Sequence, residues 1–278
     1  MTRLKQIRKI YAQFPEGKYK VLTLSYDDGK VPDKRLVSII NEYGLKCTFN
    51  INSGMENNSY KNAYEERIPL SEVKELYKGH EIACHTVNHP TIGRCPKELM
   101  IQELLEDRRN LEELLGETVR GLAYPNGSFN DDVVDALKAC GFAYGRTVNS
   151  TNSFDLPSDP FRWNPTCHHE SSSFENLYND FLMTNKSQYM YCMYVWGHSY
   201  EFEKDDNWSI IEKFSKKIGN KSDIWYATNI EIIDYLDAVK RLQVSVNGDF
   251  AYNPSAQSVW IEVDKKTIEL KGGTTTEL

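Results

Sequence analysis

Leu22-Thr23-Leu24-Ser25-Tyr26-Asp27-Asp28-Gly29 is the stretch on which the fold turns. An apolar-alternating strand runs directly into two carboxylates and a glycine. A strand buries its middle and exposes its end, so Asp27 and Asp28 belong at a C-terminal lip facing a cleft. Adjacent side chains there point in different directions, so one can bind a metal while the other faces a reacting water. Asp and Gly are also ordinary residues of a strand-to-turn exit. The rest of the chain must therefore decide between the two.

Working outward, the same unit repeats. Strands are expected over 20–26, 46–51, 81–85, 119–124, 142–146, 189–196 and 223–227. Helical spacing of apolar residues intervenes over 33–43, 71–78, 96–115, 130–140, 174–184, 208–218 and 231–242. Ser71, Asn130 and Thr228 or Asn229 stand as helix caps, and Gly44, Gly79, Gly116 and Gly141 as stops. About seven strand–helix units predict a parallel α/β fold, a closed or nearly closed (β/α) barrel. The first 18 residues read as a short amphipathic arm, and residues 149–172 as a long loop of the kind that often carries function. From Val244 onward, short strands separated by Asn247-Gly248-Asp249 and Asp264-Lys265-Lys266 predict a small antiparallel appendage. The division expected is a barrel over 1–243 and an appendage over 244–278.

Bulk properties narrow the function. With 278 residues, 40% hydrophobic and 26% charged, the chain has the balance of a soluble globular protein. A net charge of −7 argues against nucleic acid or an anionic membrane as partner. The cysteines at 47, 84, 95, 140, 167 and 192 include no C-x-x-C pair and read as free thiols of a reducing compartment. Met1 to Lys20 contains no apolar signal-peptide core, and no run of about 18 apolar residues occurs, so a cytoplasmic location is expected.

Polar residues then gather at strand ends. Asp27 and Asp28 follow strand one, His85 and His89 strand three, Tyr124-Pro125-Asn126-Gly127 strand four, and His198 the strand ending at Trp196. In a parallel barrel these ends share one face, and that face carries the active site. His85 and His89, four apart in a loop or single turn, suit one divalent metal together with Asp28, leaving positions open for water. His198, in Val195-Trp196-Gly197-His198, is the residue type that protonates a leaving group near neutral pH. His80 and His85 are five apart on a strand, which rules out a zinc-protease helix.

The motifs Thr-Leu-Ser-Tyr-Asp-Asp-Gly (23–29), Gly-His-Glu-Ile-Ala-Cys-His-Thr-Val-Asn-His-Pro (79–90), Ala-Tyr-Pro-Asn-Gly (123–127) and Val-Trp-Gly-His (195–198) stand in an order that resembles the polysaccharide deacetylases. This is the NodB-homology group, carbohydrate esterase family 4, and the likeness covers roughly residues 20–200. It implies a distorted (β/α) barrel that removes acetyl groups from saccharides with a divalent ion, Zn²⁺ first, with Co²⁺ or Ni²⁺ as alternatives. By position, Asp28, His85 and His89 would hold the metal, Asp27 would be the base and His198 the acid. Thr86 would help hold the metal-site loop, and the backbone N–H near Asn126 would help form an oxyanion hole. Tyr124, Pro125, Asn126, Trp163 and Trp196 are read as substrate contacts, Trp163 as a wall for the acetyl methyl.

The pattern departs from the family at Ala123, where many members carry an Arg that pairs with the base. Arg162, in Pro160-Phe161-Arg162-Trp163, is the expected replacement; the alternative is that Asp27 has no Arg partner and its pKa is tuned otherwise. Cys167-His168-His169 could line the cleft, bind metal or do neither, and Tyr200, Glu201 and Phe202 are plausible sugar contacts. Two other readings stay open: hydrolysis of a non-sugar cyclic amide on the same fold, and a saccharide-binding module without activity.

Overall fold

Lys20–Asp27 is buried along its whole length, which requires cover on both faces. The computed structural model describes residues 7–55 and 62–278. In chain order these form β1 (Ile10–Gln13), β2 (Lys20–Asp27), α1 (Asp33–Glu42), β3 (Cys47–Ile51), α2 (Leu70–Leu76), β4 (Glu81–Cys84), α3 (Lys97–Leu115), β5 (Gly121–Ala123), α4 (Asp131–Ala139) and β6 (Tyr144–Arg146). There follow β7 (Cys167–His168), α5 (Phe174–Met183), β8 (Tyr191–Gly197), α6 (Ser199–Lys204), α7 (Ser209–Ile218), β9 (Ile224–Tyr226) and α8 (Asn229–Lys240). The remainder is β10 (Gln243–Val244), β11 (Phe250–Asn253), β12 (Val259–Val263), β13 (Lys266–Leu270) and β14 (Thr274–Glu277).

The main sheet is parallel, in the order β6-β5-β4-β3-β2-β8-β7. β9 pairs with Lys20–Leu22 of β2, and β3 with Leu24–Asp27. That makes eight strands where about seven were expected. The sheet then curls until its ends are joined through a single stretch of chain. Trp163 N–H donates to Gly145 O, Thr147 N–H donates to Trp163 O, and Thr166 N–H donates to Tyr194 O. Residues 163–168 thus link β6 to β8. The last part of the expected long loop, residues 163–168, is a closing strand, a role set by partners remote in sequence.

Strand parity sorts the side chains. Leu22, Leu24 and Tyr26 of β2, with Cys47, Phe49 and Ile51 of β3, face the helices and join the main apolar core. The alternate positions face the barrel interior, which is polar in its upper part. Asn50 donates to Ser25 Oγ and Asp27 Oδ1, both at 2.8 Å. At the opposite end the α8 N-terminus plugs the barrel. Asn229 accepts from Thr23 Oγ1 at 2.9 Å and donates to Tyr194 Oη at 2.6 Å, and Ile230 N–H donates to Glu81 at 2.9 Å. Asn130 and Thr228 cap α4 and α8 as expected, whereas α2 starts at Leu70 after Pro69, without a Ser71 cap.

The appendage comprises two antiparallel sheets, β1-β12-β13 and β10-β11-β14. The expected N-terminal arm supplies one of their strands, since Ile10–Gln13 pairs with Trp260–Val263. β14 falls in a tail that carries no strand signal in the sequence. Its Thr274–Glu277 pairs with β11.

Candidate active site and metal centre

Interior parity delivers Asp27, His85, Arg146 and Trp196 to the same rim. A cleft of about 450 Å³ opens there, lined among others by Asp27, Asp28, His85, His89, Trp196 and His198. Asp27 is buried, and its two oxygens have different neighbours. Oδ1 accepts from Asn50 Nδ2 and from the Arg146 guanidinium. Oδ2 lies 3.9 Å from His85 Nε2 and 3.9 Å from His198 Nε2. Burial pushes the Asp27 pKa up, but Arg146 and the two histidines outweigh it and hold the carboxyl down to about 2.

Asp28, His85 and His89 come together as expected. Asp28 Oδ1 is 3.9 Å from His85 Nε2 and 3.8 Å from His89 Nε2. The ligand atoms all lie within 4.8 Å of one another. Asp28 Oδ1 is buried yet has no hydrogen-bond partner among the described residues, which is costly unless something else satisfies it. His85 Nδ1 is 2.8 Å from Ala123 O, so Nδ1 carries the proton and the Nε2 lone pair points into the centre. Burial holds the His85 ring neutral, lowering its pKa to about 4 despite Asp27 and Asp28. A carboxylate and two imidazoles converging on an orphaned oxygen fit a divalent transition metal.

The loop carrying these histidines is pinned from beneath. Asp107, buried on α3, accepts from His85 N–H at 3.0 Å and Ser53 N–H at 2.8 Å. Asn52 Nδ2 donates to His85 O at 2.5 Å and Thr86 O at 2.9 Å. Thr86 takes part through its carbonyl, while its buried Oγ1 has no hydrogen-bond partner among the described residues. Asp28, Thr86, His89 and Asn126 all adopt left-handed φ angles, from 54° to 80°. Such angles in non-glycine residues cost energy and cluster at functional sites.

His198 is tethered by Glu201. Its Nδ1–H donates to Glu201 Oε1 at 3.0 Å and its backbone N–H to Oε2 at 3.0 Å, the second as part of an α6 capping box. This leaves Nε2 facing Asp27. Burial opposes the charged ring, but Glu201 and Asp27 prevail and raise its pKa.

Arg162 is not where the sequence suggests. It pairs with Asp159 and Asp131 on the surface, each at 2.6 Å, because the short helical turn at Pro160–Arg162 directs it outward. Arg146, at the end of β6, fills that place. Trp163 also departs from expectation. It is buried against Tyr144 and Tyr194, with ring centroids at 5.9 and 4.8 Å, because it belongs to the closing strand rather than the cleft wall. Tyr124, Asn126 and Trp196 line the cleft, whereas Pro125 is buried. Tyr200 lines it too, with Lys30 Nζ 4.0 Å from its ring centre. Arg146 ends strand five and so carries the same signal that marks Asp27, His85 and His198.

The family model described as polysaccharide deacetylase matches residues 15–145. A chitooligosaccharide deacetylase from Sinorhizobium fredii is 27% identical over 123 residues, covering 43% of this chain and 53% of that protein. The chain spans about half the length of the curated relatives it matches. A structure from Mycobacterium smegmatis described as a polysaccharide deacetylase superposes with TM-score 0.62 at 16% identity, covering 83% of this chain and 94% of the other. A family 4 acetyl xylan esterase from Clostridium thermocellum, in complex with a cobalt ion, gives TM-score 0.51 at 14% identity, covering 78% and 91%. At such identities the two structural likenesses speak for the fold. Among the described residues, no helix is long and apolar enough to cross a membrane.

Proposed function

We propose, from the match of residues 15–145 to the family model described as polysaccharide deacetylase, that this protein removes acetyl groups from a saccharide with the help of a divalent metal. The observation that carries the reading is the asymmetry of Asp27. One oxygen is fixed by Arg146 and Asn50, and the other faces Nε2 of both His85 and His198 at 3.9 Å. Base, metal ligand and acid meet at that oxygen.

Asp28, His85 and His89 would hold the metal, with Zn²⁺ the first expectation. A divalent ion supplies Lewis acidity toward the acetyl carbonyl and the attacking water. Asp27 Oδ2, ionised across the physiological range, takes a proton as the water attacks. His198 Nε2, on a ring whose pKa Glu201 and Asp27 raise against burial, returns one to the departing nitrogen or oxygen. Asn126, at φ 56° on the cleft wall, offers its backbone N–H to the developing oxyanion. Trp196 and Tyr200 supply flat surfaces for a sugar ring.

The test is acetate release from acetylated chito- and xylo-oligosaccharides by the metal-reconstituted protein, with Asp28→Ala alongside. Release that disappears in Asp28→Ala together with bound metal is expected. No release from any saccharide, with metal still bound through Asp28, would overturn the reading.

A further inference from the structure

The closing strand ends on Cys167-His168-His169, and β7 pairs with β8 so that His168 lies opposite Trp196. This brings a second pair of imidazoles onto the carboxylate that holds His198. Glu201 Oε2 lies 3.2 Å from His168 Nε2 and 3.3 Å from His169 Nε2. Both rings belong to the barrel wall, whereas Glu201 and His198 belong to the chain leaving β8.

The tautomer of His168 can be read from its other nitrogen. Glu170 N–H donates to His168 Nδ1 at 3.2 Å, so Nδ1 is the acceptor and Nε2 carries the proton of the neutral ring. His168 therefore donates to Glu201. His169 is fully buried between Tyr26, with ring centres 5.6 Å apart, and Phe202, at 4.1 Å. It fits only because residue 197 is glycine, where a Cβ would lie 1.9 Å from His169 Nδ1. The same histidines, with Glu170 and Glu201, lie close enough to hold a cation. The proton on His168 Nε2 speaks against that, since a ligating nitrogen must offer its lone pair.

We propose that His168 is a positioning residue for His198, acting through Glu201 in a chain His168 Nε2–H···Glu201···H–Nδ1 His198, an inference that rests on His198 being the acid of the proposed deacetylation. Glu201 Oε2 divides its acceptance between His168 and the His198 backbone, and the carboxylate is tied to the barrel wall as well as to α6. The charged and titratable groups around His198 are Asp27 and Asp28 from the end of β2, Tyr200 and Glu201 from α6, His168 from β7 and His169 just beyond it. Removing the His168 donor leaves Glu201 a stronger acceptor for His198. The acid then holds its proton more tightly and gives it up less readily.

The experiment compares His168→Phe with His168→Gln, whose amide reproduces the donor. In the holoenzyme, His168→Phe should lower kcat about 10-fold, part of the 10²–10⁴ that acid–base assistance supplies. KM should hold, and the alkaline limb of the kcat profile should move up by on the order of one pH unit. His168→Gln should restore both. Imidazole NMR of the metal-free protein reads the same chain without activity. The His198 titration should move up in His168→Phe, return in His168→Gln and move down in Glu201→Gln. If wild type releases no acetate but the NMR pattern holds, the deacetylase reading fails and the chain of contacts stands. An unmoved His198 titration in His168→Phe would overturn the proposal. So would a second equivalent of Zn²⁺ bound by wild type and lost in His168→Phe, which would make His168 a ligand.

Discussion

Arg146 reaches from the end of β6 across the barrel to Asp27 Oδ1, and neither side chain is exposed to more than a trace of solvent. Among the described residues its Nε and Nη1 have no hydrogen-bond partner, so the guanidinium is committed to this carboxylate and to the face of Trp196, 4.7 Å away. The pair fixes which oxygen of Asp27 is left for chemistry.

Arg146→Met should therefore be severe. Breaking a buried pair from one side leaves an uncompensated charge and costs about 3–5 kcal/mol. The sign of the pH effect follows from Asp27, whose pKa is held down to about 2 with Arg146 as its largest lowering influence. Without Arg146 the carboxyl titrates higher, so the acid limb of the rate profile should move upward. Stability that wild type loses only as pH falls from the ordinary carboxylate range toward about 2 should be lost at higher pH in the variant. Thermal melts from pH 2 to 6 beside a rate profile check both.

Arg162→Ala should do neither. Its partners Asp131 and Asp159 are surface residues, and its guanidinium points away from the cleft. Acetate release and its pH profile should match wild type. A shifted acid limb would show that Arg162 communicates with Asp27 after all.

The contrast between these arginines shows what the sequence could and could not reveal. Asp27, Asp28, His85, His89 and His198 were legible because a polar residue at the end of an apolar strand is a local signal, and parallel topology turns local ends into one rim. Arg146 carries the same signal but ends a strand of only three residues. Its partnership with β2 depends on curvature that brings β6 and β2 face to face. Trp163 was assigned to the cleft because nothing local marks residues 163–168 as a strand. Their partners are β6 on one side and β8 on the other. The six residues of α6 were missed for the opposite reason, since a single capped turn or two leaves almost no apolar period to read.

Glu81 makes a prediction at the other end of the barrel. It accepts from Thr48 Oγ1 at 2.7 Å, Tyr144 Oη at 2.8 Å and Ile230 N–H at 2.9 Å, yet burial still pushes its pKa up to about 7. A carboxyl raised above its unfolded value favours the fold most at low pH. That contribution is lost as pH climbs from the unfolded value of 4.5 through about 7. Glu81→Gln cannot ionise, so the melting temperature of wild type relative to Glu81→Gln should fall between pH 4.5 and 7.5. The metal-free protein is the form to use, because metal affinity varies with pH as well. A constant difference would mean that Glu81 keeps its charge in the fold.

Asp107 bears on metal affinity without touching the centre. Its carboxylate bridges Ser53 N–H and His85 N–H, joining the chain leaving β3 to the loop that carries His85 and His89. Asp107→Ala strands the buried Ser53 N–H, at a cost of about 1–3 kcal/mol, while His85 N–H keeps its 3.0 Å bond to Ile51 O. It also frees the backbone beneath His85, whose Nδ1 bond to Ala123 O orients Nε2. Losing an outer partner of a metal ligand typically lowers affinity about 10–100-fold. Zn²⁺ titration against a competing chelator should therefore show Asp107→Ala binding more weakly by that order. Asp107→Asn, which keeps an acceptor oxygen, should fall between it and wild type. Equal affinity in all three would mean that Asn52, through His85 O and Thr86 O, suffices to hold the loop.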